Sequence, residues 1–127
     1  MPVWFWVAVG GALGSVARYG AGQLLSHFWG EGLPWGTFMV NAVGSLLAGL
    51  IWAWCVRGGS IDAALNKQFY AFSIIGFCGG FTTFSAFSRE VFVLAQAGQH
   101  NQALLYILMS LGIGVLCFWL GFRLMNL

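Results

Sequence analysis

The residues most suited to ion chemistry in this sequence lie inside long apolar runs. One stretch, Gly79-Gly80-Phe81-Thr82-Thr83, places paired glycines before paired threonines, which are poor at continuing an α-helix. Non-helical backbone within a membrane is tolerated only where protein buries it or where it lines a cavity. Its freed carbonyl and amide groups can then bind ions. The stretch predicts either a backbone ion site or a close glycine crossing in a continuous helix.

Asn41 lies near the start of another apolar run. Its amide offers two N–H donors and one oxygen acceptor. Such a side chain often hydrogen-bonds across membrane helices and holds them together. The same donors could instead bind an anion, so both interpretations stay open.

Phe84 and Phe87 are three residues apart and therefore share a helix face, with Phe81 one step further back. An aromatic ring has a positive edge, and such edges could contact an anion in a pore. The alternative is an ordinary packing or lipid-facing stripe.

Hydroxyl and carboxyl groups extend this pattern along two runs. Tyr106 and Ser110 are spaced i, i+4 in the last apolar run, at about residues 103–124. The second half of the third run, at about residues 69–95, adds further polar groups: Thr83, Ser85, Ser88 and Glu90. Together they could form a polar track beyond the phenylalanines. The alternative is local bonding of each hydroxyl to a carbonyl of its own helix.

Arg18 lies deep in the first apolar run if that run starts at Val3. A charge within a membrane is costly and is a functional candidate for that reason, here as a group that attracts anions into a vestibule. If the helix instead ends near Tyr19, Arg18 lies at the membrane interface.

The elements that position these residues follow from the composition. The chain has 127 residues, of which 60% are hydrophobic and 6% are charged. A soluble domain is about 25% charged, so this composition indicates an integral membrane protein. Soluble enzymes, nucleic-acid binders and disordered chains are excluded, and the sequence contains no nucleophile–base or metal-hydrolase motif. We expect no enzymatic activity and no nucleic-acid partner.

A membrane helix needs about 20 apolar residues. The sequence predicts an all-α membrane protein with a single transmembrane domain over residues 1–127. Four spans are expected at about 3–28, 35–56, 69–95 and 103–124, the third broken near its middle.

Four spans place Arg57, Lys67 and Arg123 on one side of the bilayer and Arg18 and Arg89 on the other. This is a weak positive-inside bias, which permits insertion in both orientations. An antiparallel homodimer is a natural product of such insertion, although the charge count alone does not require one.

Three motifs resemble one family. They are Gly10-Gly11-Ala12-Leu13-Gly14-Ser15-Val16-Ala17-Arg18-Tyr19, Gly36-Thr37-Phe38-Met39-Val40-Asn41, and the long run Gly76-Phe77-Cys78-Gly79-Gly80-Phe81-Thr82-Thr83-Phe84-Ser85-Ala86-Phe87-Ser88-Arg89-Glu90. The sequence is similar to the Fluc-type fluoride channels, the CrcB family, over its whole length. It departs from the common pattern at Ala86, where many relatives carry Thr, and at Gly114, where some carry Ser.

The resemblance implies a dual-topology homodimer in the inner (plasma) membrane of a bacterium, with two pathways for passive fluoride export. It also implies a structural sodium ion on the dimer axis, held by backbone carbonyls of Gly79 and Thr82 from each subunit. The implied pathway residues are Asn41, Phe84, Phe87, Ser85, Ser88, Glu90, Tyr106 and Ser110.

Two other classes share the small four-span layout. A cation/proton antiporter needs a carboxylate within the membrane, and Glu90 is the only acid within any apolar run. A non-transporting anchor subunit needs no shared polar path, and the unusual third run argues against it.

Overall fold

The computed structural model of the chain describes residues 1–29, 33–57 and 64–127, and the regular secondary structure of these residues is helical. In chain order the elements are α1 (Val3–Trp29), α2 (Trp35–Arg57), α3 (Ala64–Tyr70), a π-helical segment (Ala71–Cys78), α4 (Gly79–Phe81), α5 (Phe84–Gln96) and α6 (His100–Met125). Helix α3, the π-helical segment and α4 follow one another without interruption. They form the first half of the predicted third run, and α5 forms its second half.

The break predicted in the third run lies at Thr82 and Thr83. Thr82 has φ −85° and ψ 156°, and Thr83 has φ −148° and ψ 118°, so both residues are extended. The helices around it begin and end close to the expected bounds. The largest difference is at the start of the third run, where α3 begins at Ala64 instead of residue 69.

Within the described ranges, three helical stretches are long and apolar enough to cross a membrane: Trp35–Arg57, Asn66–Gln96 and His100–Met125. Helix α1 has 27 residues and is long enough. It is not among the three, because its glycines and its polar side chains, such as Arg18 and Gln23, lower its mean hydropathy. Four long helical stretches thus correspond to the four predicted spans, and three of them are also apolar enough to cross a membrane.

Glycines allow α1 to lie directly against the backbone of the third run. Gly10 and Gly14 are buried, and a Cβ atom on Gly14 would lie 2.9 Å from the amide nitrogen of Phe81. From the other side, a Cβ on Gly76 would lie 2.9 Å from the Cα of Gly10. Backbones come this close only where residues are small, as is typical of membrane helix pairs. This packing holds the start of the break against α1.

Helix α2 packs mainly on α6, again through glycines. A Cβ on Gly49 would collide with the backbone of Phe118, and one on Gly121 with the backbone of Leu46. A short turn around Gly98, which has φ 80°, joins α5 to α6 and makes them neighbours. The polar faces of α2, α5 and α6 therefore meet beside the break.

Candidate functional site

The side chain of Asn41 on α2 holds the break between α4 and α5. Its Nδ2 group donates to the carbonyl oxygen of Thr83 at 3.1 Å, and the Thr83 amide donates to Asn41 Oδ1 at 2.7 Å. These bonds satisfy backbone groups that the extended conformation leaves without helical partners. Asn41 thus joins two helices, and the second N–H of its amide remains for another acceptor.

The break also removes the helical partners of several carbonyl groups, among them those of Gly79 and Thr82. In a continuous helix, the carbonyl of Gly79 would accept from the amide of Thr83, and that of Thr82 from the amide of Ala86. Instead, the Thr83 amide donates to Asn41 and the Ala86 amide donates to Thr83 Oγ1 at 3.1 Å. The carbonyl oxygens of Gly79 and Thr82 therefore lose these amide donors, and backbone carbonyl oxygens are suitable ligands for hard cations.

Arg18 reaches the same break from α1. Its Nε group donates to the carbonyl oxygen of Gly80 at 3.0 Å, in a partly buried position. Arg18 also lines a polar cavity of about 160 Å³ together with Arg89, Gln23 and Thr83. The guanidinium is half-buried, binds the broken backbone and borders a cavity that Arg89 also lines. The alternative in which the first helix ends near Tyr19 is wrong, because α1 continues to Trp29.

A larger cavity of about 220 Å³ lies against the extended segment. Residues from α2, the break, α5 and α6 line it: Asn41, Ser45, Thr82, Thr83, Phe84, Phe87, Ser110, Leu111 and Gly114. None of these side chains carries a charge. The cavity combines hydroxyl and amide donors with aromatic walls, and it has no carboxylate in its lining to repel an anion.

Phe84 and Phe87 form one wall of this cavity. Their ring centroids are 5.6 Å apart with an interplanar angle of 42°. Phe84 is 72% exposed in the single chain, whereas Phe87 is 8% exposed and lies 5.2 Å from the ring of Tyr106. Phe81, which was expected on the same stripe, stacks on Phe77 at 5.9 Å because the break takes it out of the α5 face.

The carboxylate of Glu90 is bound by two hydroxyl groups. Tyr106 Oη donates to Oε2 and Thr37 Oγ1 donates to Oε1, each at 2.7 Å. Arg89 Nη2 is 3.9 Å from Oε1, but its side chain is 73% exposed, so this ion pair adds little. Side chains from α2, α5 and α6 thereby form a hydrogen-bonded cluster next to the phenylalanine wall.

The remaining hydroxyls of the predicted path have different surroundings. Ser88 donates to the carbonyl of Phe84 at 2.9 Å, which is local bonding within its own helix. Ser85 Oγ is 3.3 Å from Thr83 Oγ1. Ser110 Oγ is buried and makes no hydrogen bond of standard geometry within the described part of the chain.

The structure brings four of the predicted path residues to the cavity: Asn41, Phe84, Phe87 and Ser110. The other four lie outside its lining: Ser85, Ser88, Glu90 and Tyr106.

Two residues near the site were not singled out from the sequence, Thr37 and Ser45. Thr37 binds Glu90, and Ser45 lines the cavity. Both are four residues from Asn41, so the three residues share one face of α2. A polar residue at every fourth position of an otherwise apolar helix is the signal that could have identified them.

The family model described as "CrcB-like protein, Camphor Resistance (CrcB)" matches residues 5–122. The chain therefore belongs to the CrcB family.

Its relatives include proteins named "Fluoride-specific ion channel FluC" from several bacteria. A protein from Thermus thermophilus is 46% identical over 118 residues, which cover 93% of this chain and 90% of the relative. The protein from Gloeobacter violaceus is 47% identical and covers 91% of this chain and 90% of the relative. The protein from Novosphingobium aromaticivorans is 41% identical, with 94% and 93% covered.

Proposed function

We propose that this chain forms a fluoride-selective channel through which cytoplasmic fluoride leaves the cell passively. The observation that carries the proposal is the 46% identity to a protein named as a fluoride-specific ion channel, over 93% of the chain. The uncharged, donor-bearing cavity beside the break supports it. We place the protein in the bacterial inner membrane, with the lipid bilayer as its surroundings.

The chemistry of the cavity suits a small, strongly hydrated anion. An anion that loses its water in a low-dielectric site must gain hydrogen bonds, because an unpaired charge there is expensive. The second N–H of Asn41 and the hydroxyl of Ser110 are donors in the cavity, and ring edges of Phe84 and Phe87 provide weaker positive contacts. A larger halide would fit fewer of these contacts at once.

We assign the cluster around Glu90 to the continuation of the fluoride path. Tyr106 and Thr37 bind the carboxylate of Glu90, and the ring of Phe87 lies against Tyr106. Hydroxyls held in this way can turn between the carboxylate and a passing anion. Ser85 and Ser88 belong to the same track, and Arg18 to a vestibule that attracts anions.

We further propose that two chains assemble as an antiparallel homodimer with two pathways. The single chain leaves large side chains exposed along α1 and α6, such as Trp4, Val16, Leu108 and Val115. Phe84, at the cavity, is also 72% exposed. A second copy would cover part of this surface, and the weak charge bias permits both orientations.

The released carbonyls of Gly79 and Thr82 fit a structural sodium ion. The amides that would bind these carbonyls in a continuous helix donate to side chains instead. Gly79 is also exposed on the surface of the single chain. Carbonyls from two subunits could therefore meet around one ion. A bound sodium ion would supply a fixed positive charge beside the path.

The two alternative classes receive no support from the site. An antiporter needs a carboxylate that is free to exchange a proton with a cation, but Glu90 is occupied by two hydroxyl donors. An anchor subunit has no use for an uncharged cavity lined by donors.

The test is anion efflux from liposomes that contain the purified protein, with membrane potential clamped by potassium and valinomycin. Fluoride, chloride and thiocyanate are compared. We expect fast electrogenic fluoride efflux without chloride efflux. Phe84→Ile and Phe87→Ile should each lower fluoride efflux while the dimer persists. No fluoride efflux from a verified folded dimer would overturn the proposal, and normal efflux in both variants would remove the rings from the path.

A further inference from the structure

Hydroxyl groups around the cavity differ in whether the protein already uses them. Thr82 Oγ1 donates to the carbonyl of Cys78 at 2.8 Å, and Thr83 Oγ1 accepts from the amide of Ala86. Among the cavity-lining residues, Ser45 and Ser110 have hydroxyls that make no hydrogen bond of standard geometry to the described residues. Ser110 is already assigned to the fluoride path, whereas Ser45 has no role so far.

Ser45 is placed where an anion in the cavity could reach it. It lies one helical turn beyond Asn41 on α2, and both residues line the cavity. Across the cavity, α6 carries Ser110 and, one turn later, Gly114. A Cβ atom on Gly114 would lie 3.9 Å from Ser45 Oγ, which is ordinary contact distance. Since Gly114 has no side chain, the space beside the Ser45 hydroxyl stays open.

We propose that Ser45 is a fluoride ligand in this cavity and a residue that sets fluoride selectivity. This inference rests on the proposed channel function. A serine hydroxyl has one O–H donor that can rotate toward an anion without disturbing the helix. Hydrogen bonds to a charged partner are shorter and stronger than those between neutral groups. Ser45 and Ser110 approach the cavity from α2 and α6, so their hydroxyls converge on an anion from two sides.

The first test compares Ser45→Ala with the wild-type protein in the liposome efflux assay at limiting fluoride. Loss of one hydrogen bond to a charged group changes an equilibrium by roughly 10- to 100-fold, so efflux should fall by about tenfold or more. Chloride efflux, which we expect at the background rate in the wild-type protein, should stay there or rise, so the ratio of fluoride efflux to chloride efflux should fall.

The matched control is Ser73→Ala. Ser73 is 6% exposed and its hydroxyl donates to the carbonyl of Phe69 at 2.6 Å, away from the cavity. This variant should retain wild-type efflux. Size-exclusion chromatography of each variant confirms that the dimer is intact.

The second test is rescue by Gly114→Ser in the Ser45→Ala protein. The new hydroxyl enters the same cavity from α6, so we expect fluoride efflux and selectivity to recover substantially. Ser45→Cys, which keeps the size with a weaker donor, should be intermediate. If the wild-type protein conducts fluoride and Ser45→Ala conducts it equally fast, the proposed role of Ser45 is overturned and the channel proposal stands. Equal losses in Ser45→Ala, Ser45→Cys and the double variant would also overturn the role of Ser45, since they indicate packing. Absence of fluoride efflux in the wild-type protein would instead overturn the channel proposal.

Discussion

At the scale of single residues, the amide of Asn41 has both structural and chemical importance. Its oxygen and nitrogen each bind the backbone of Thr83, which leaves one N–H for another acceptor, and Asn41 lines the cavity. A side chain in this position must donate and accept at the same time. Aspartate can do only one of these when it is ionised.

Asn41→Asp should therefore abolish fluoride efflux and also weaken the fold. The carboxylate would face the carbonyl oxygen of Thr83, to which Asn41 now donates at 3.1 Å. An unsatisfied buried group costs about 1–3 kcal/mol, which thermal unfolding in detergent can measure. Ser26→Ala, at an exposed hydroxyl near the end of α1, is the control and should change neither property. Wild-type efflux and stability in Asn41→Asp would exclude the side chain from both roles.

Some residues of the candidate site could be predicted from the sequence, and others could not. Asn41, Phe84, Phe87 and Ser110 could be predicted because polar and aromatic groups are conspicuous within apolar runs. The sequence left open whether Asn41 joins helices or faces an anion. In the structure Asn41 joins α2 to the break through Thr83, and its second N–H remains for another acceptor such as an anion. Ser45 was missed because a lone serine beside a glycine is an ordinary feature of membrane helices.

At the scale of elements, the break depends on α1 and α2 as much as on its own residues. Its position could be predicted from the glycine and threonine pairs, which are poor helix formers. The hydrogen-bond partners of the broken backbone could not, because they belong to residues far away in the chain, Arg18 and Asn41. No sequence pattern predicted the π-helical segment Ala71–Cys78 before the break.

The glycine contact between α1 and the third run gives a prediction about stability. Gly14→Ala should destabilise the fold, because its Cβ would collide with the carbonyl of Phe77 and approach the Phe81 amide nitrogen at 2.9 Å. Overpacking of this kind costs about 1–3 kcal/mol.

Gly20→Ala is the matched control on the same helix. Apart from its chain neighbours and the nearby backbone of α1, no atom of the described chain lies within 4 Å of its added Cβ, and alanine suits a helix better than glycine. Thermal unfolding in detergent compares the two variants. Equal melting temperatures would show that the backbone contact at Gly14 is not tight.

At the scale of the whole molecule, the layout of long helices was predictable because apolar runs reveal their length directly. The assembly of two chains was less predictable, because the basic residues are divided three to two between the two sides of the bilayer and so give no strong preference for one orientation. Large apolar side chains are exposed along α1 and α6 of the single chain, where either lipid or the proposed second copy would cover them. How two chains meet depends on surfaces that a run of apolar residues does not specify.

The dual-topology proposal predicts that small charge changes control function. Lysines at Asn126 and Leu127 should bias all chains to one orientation, and lysines at Gln96 and Gln99 to the other. Each doubly substituted protein expressed alone should lose efflux, and co-expression of the two should restore it. Reporter fusions to the C-terminus give the orientation independently. Full activity of either protein alone, with its orientation fixed, would contradict an antiparallel dimer.

The two side chains from other helices that bind the broken backbone, Arg18 and Asn41, both precede it in the chain. Since α1 and α2 also precede the break, we expect them to enter the membrane before the extended threonines do. The backbone amides and carbonyls of the break could then bind these partners as they enter the membrane, before lipid surrounds them. A circular permutant that delivers the broken helix first should insert poorly, although its final contacts would be the same. We therefore expect the order of helices in this chain to protect the broken backbone while the protein is being made.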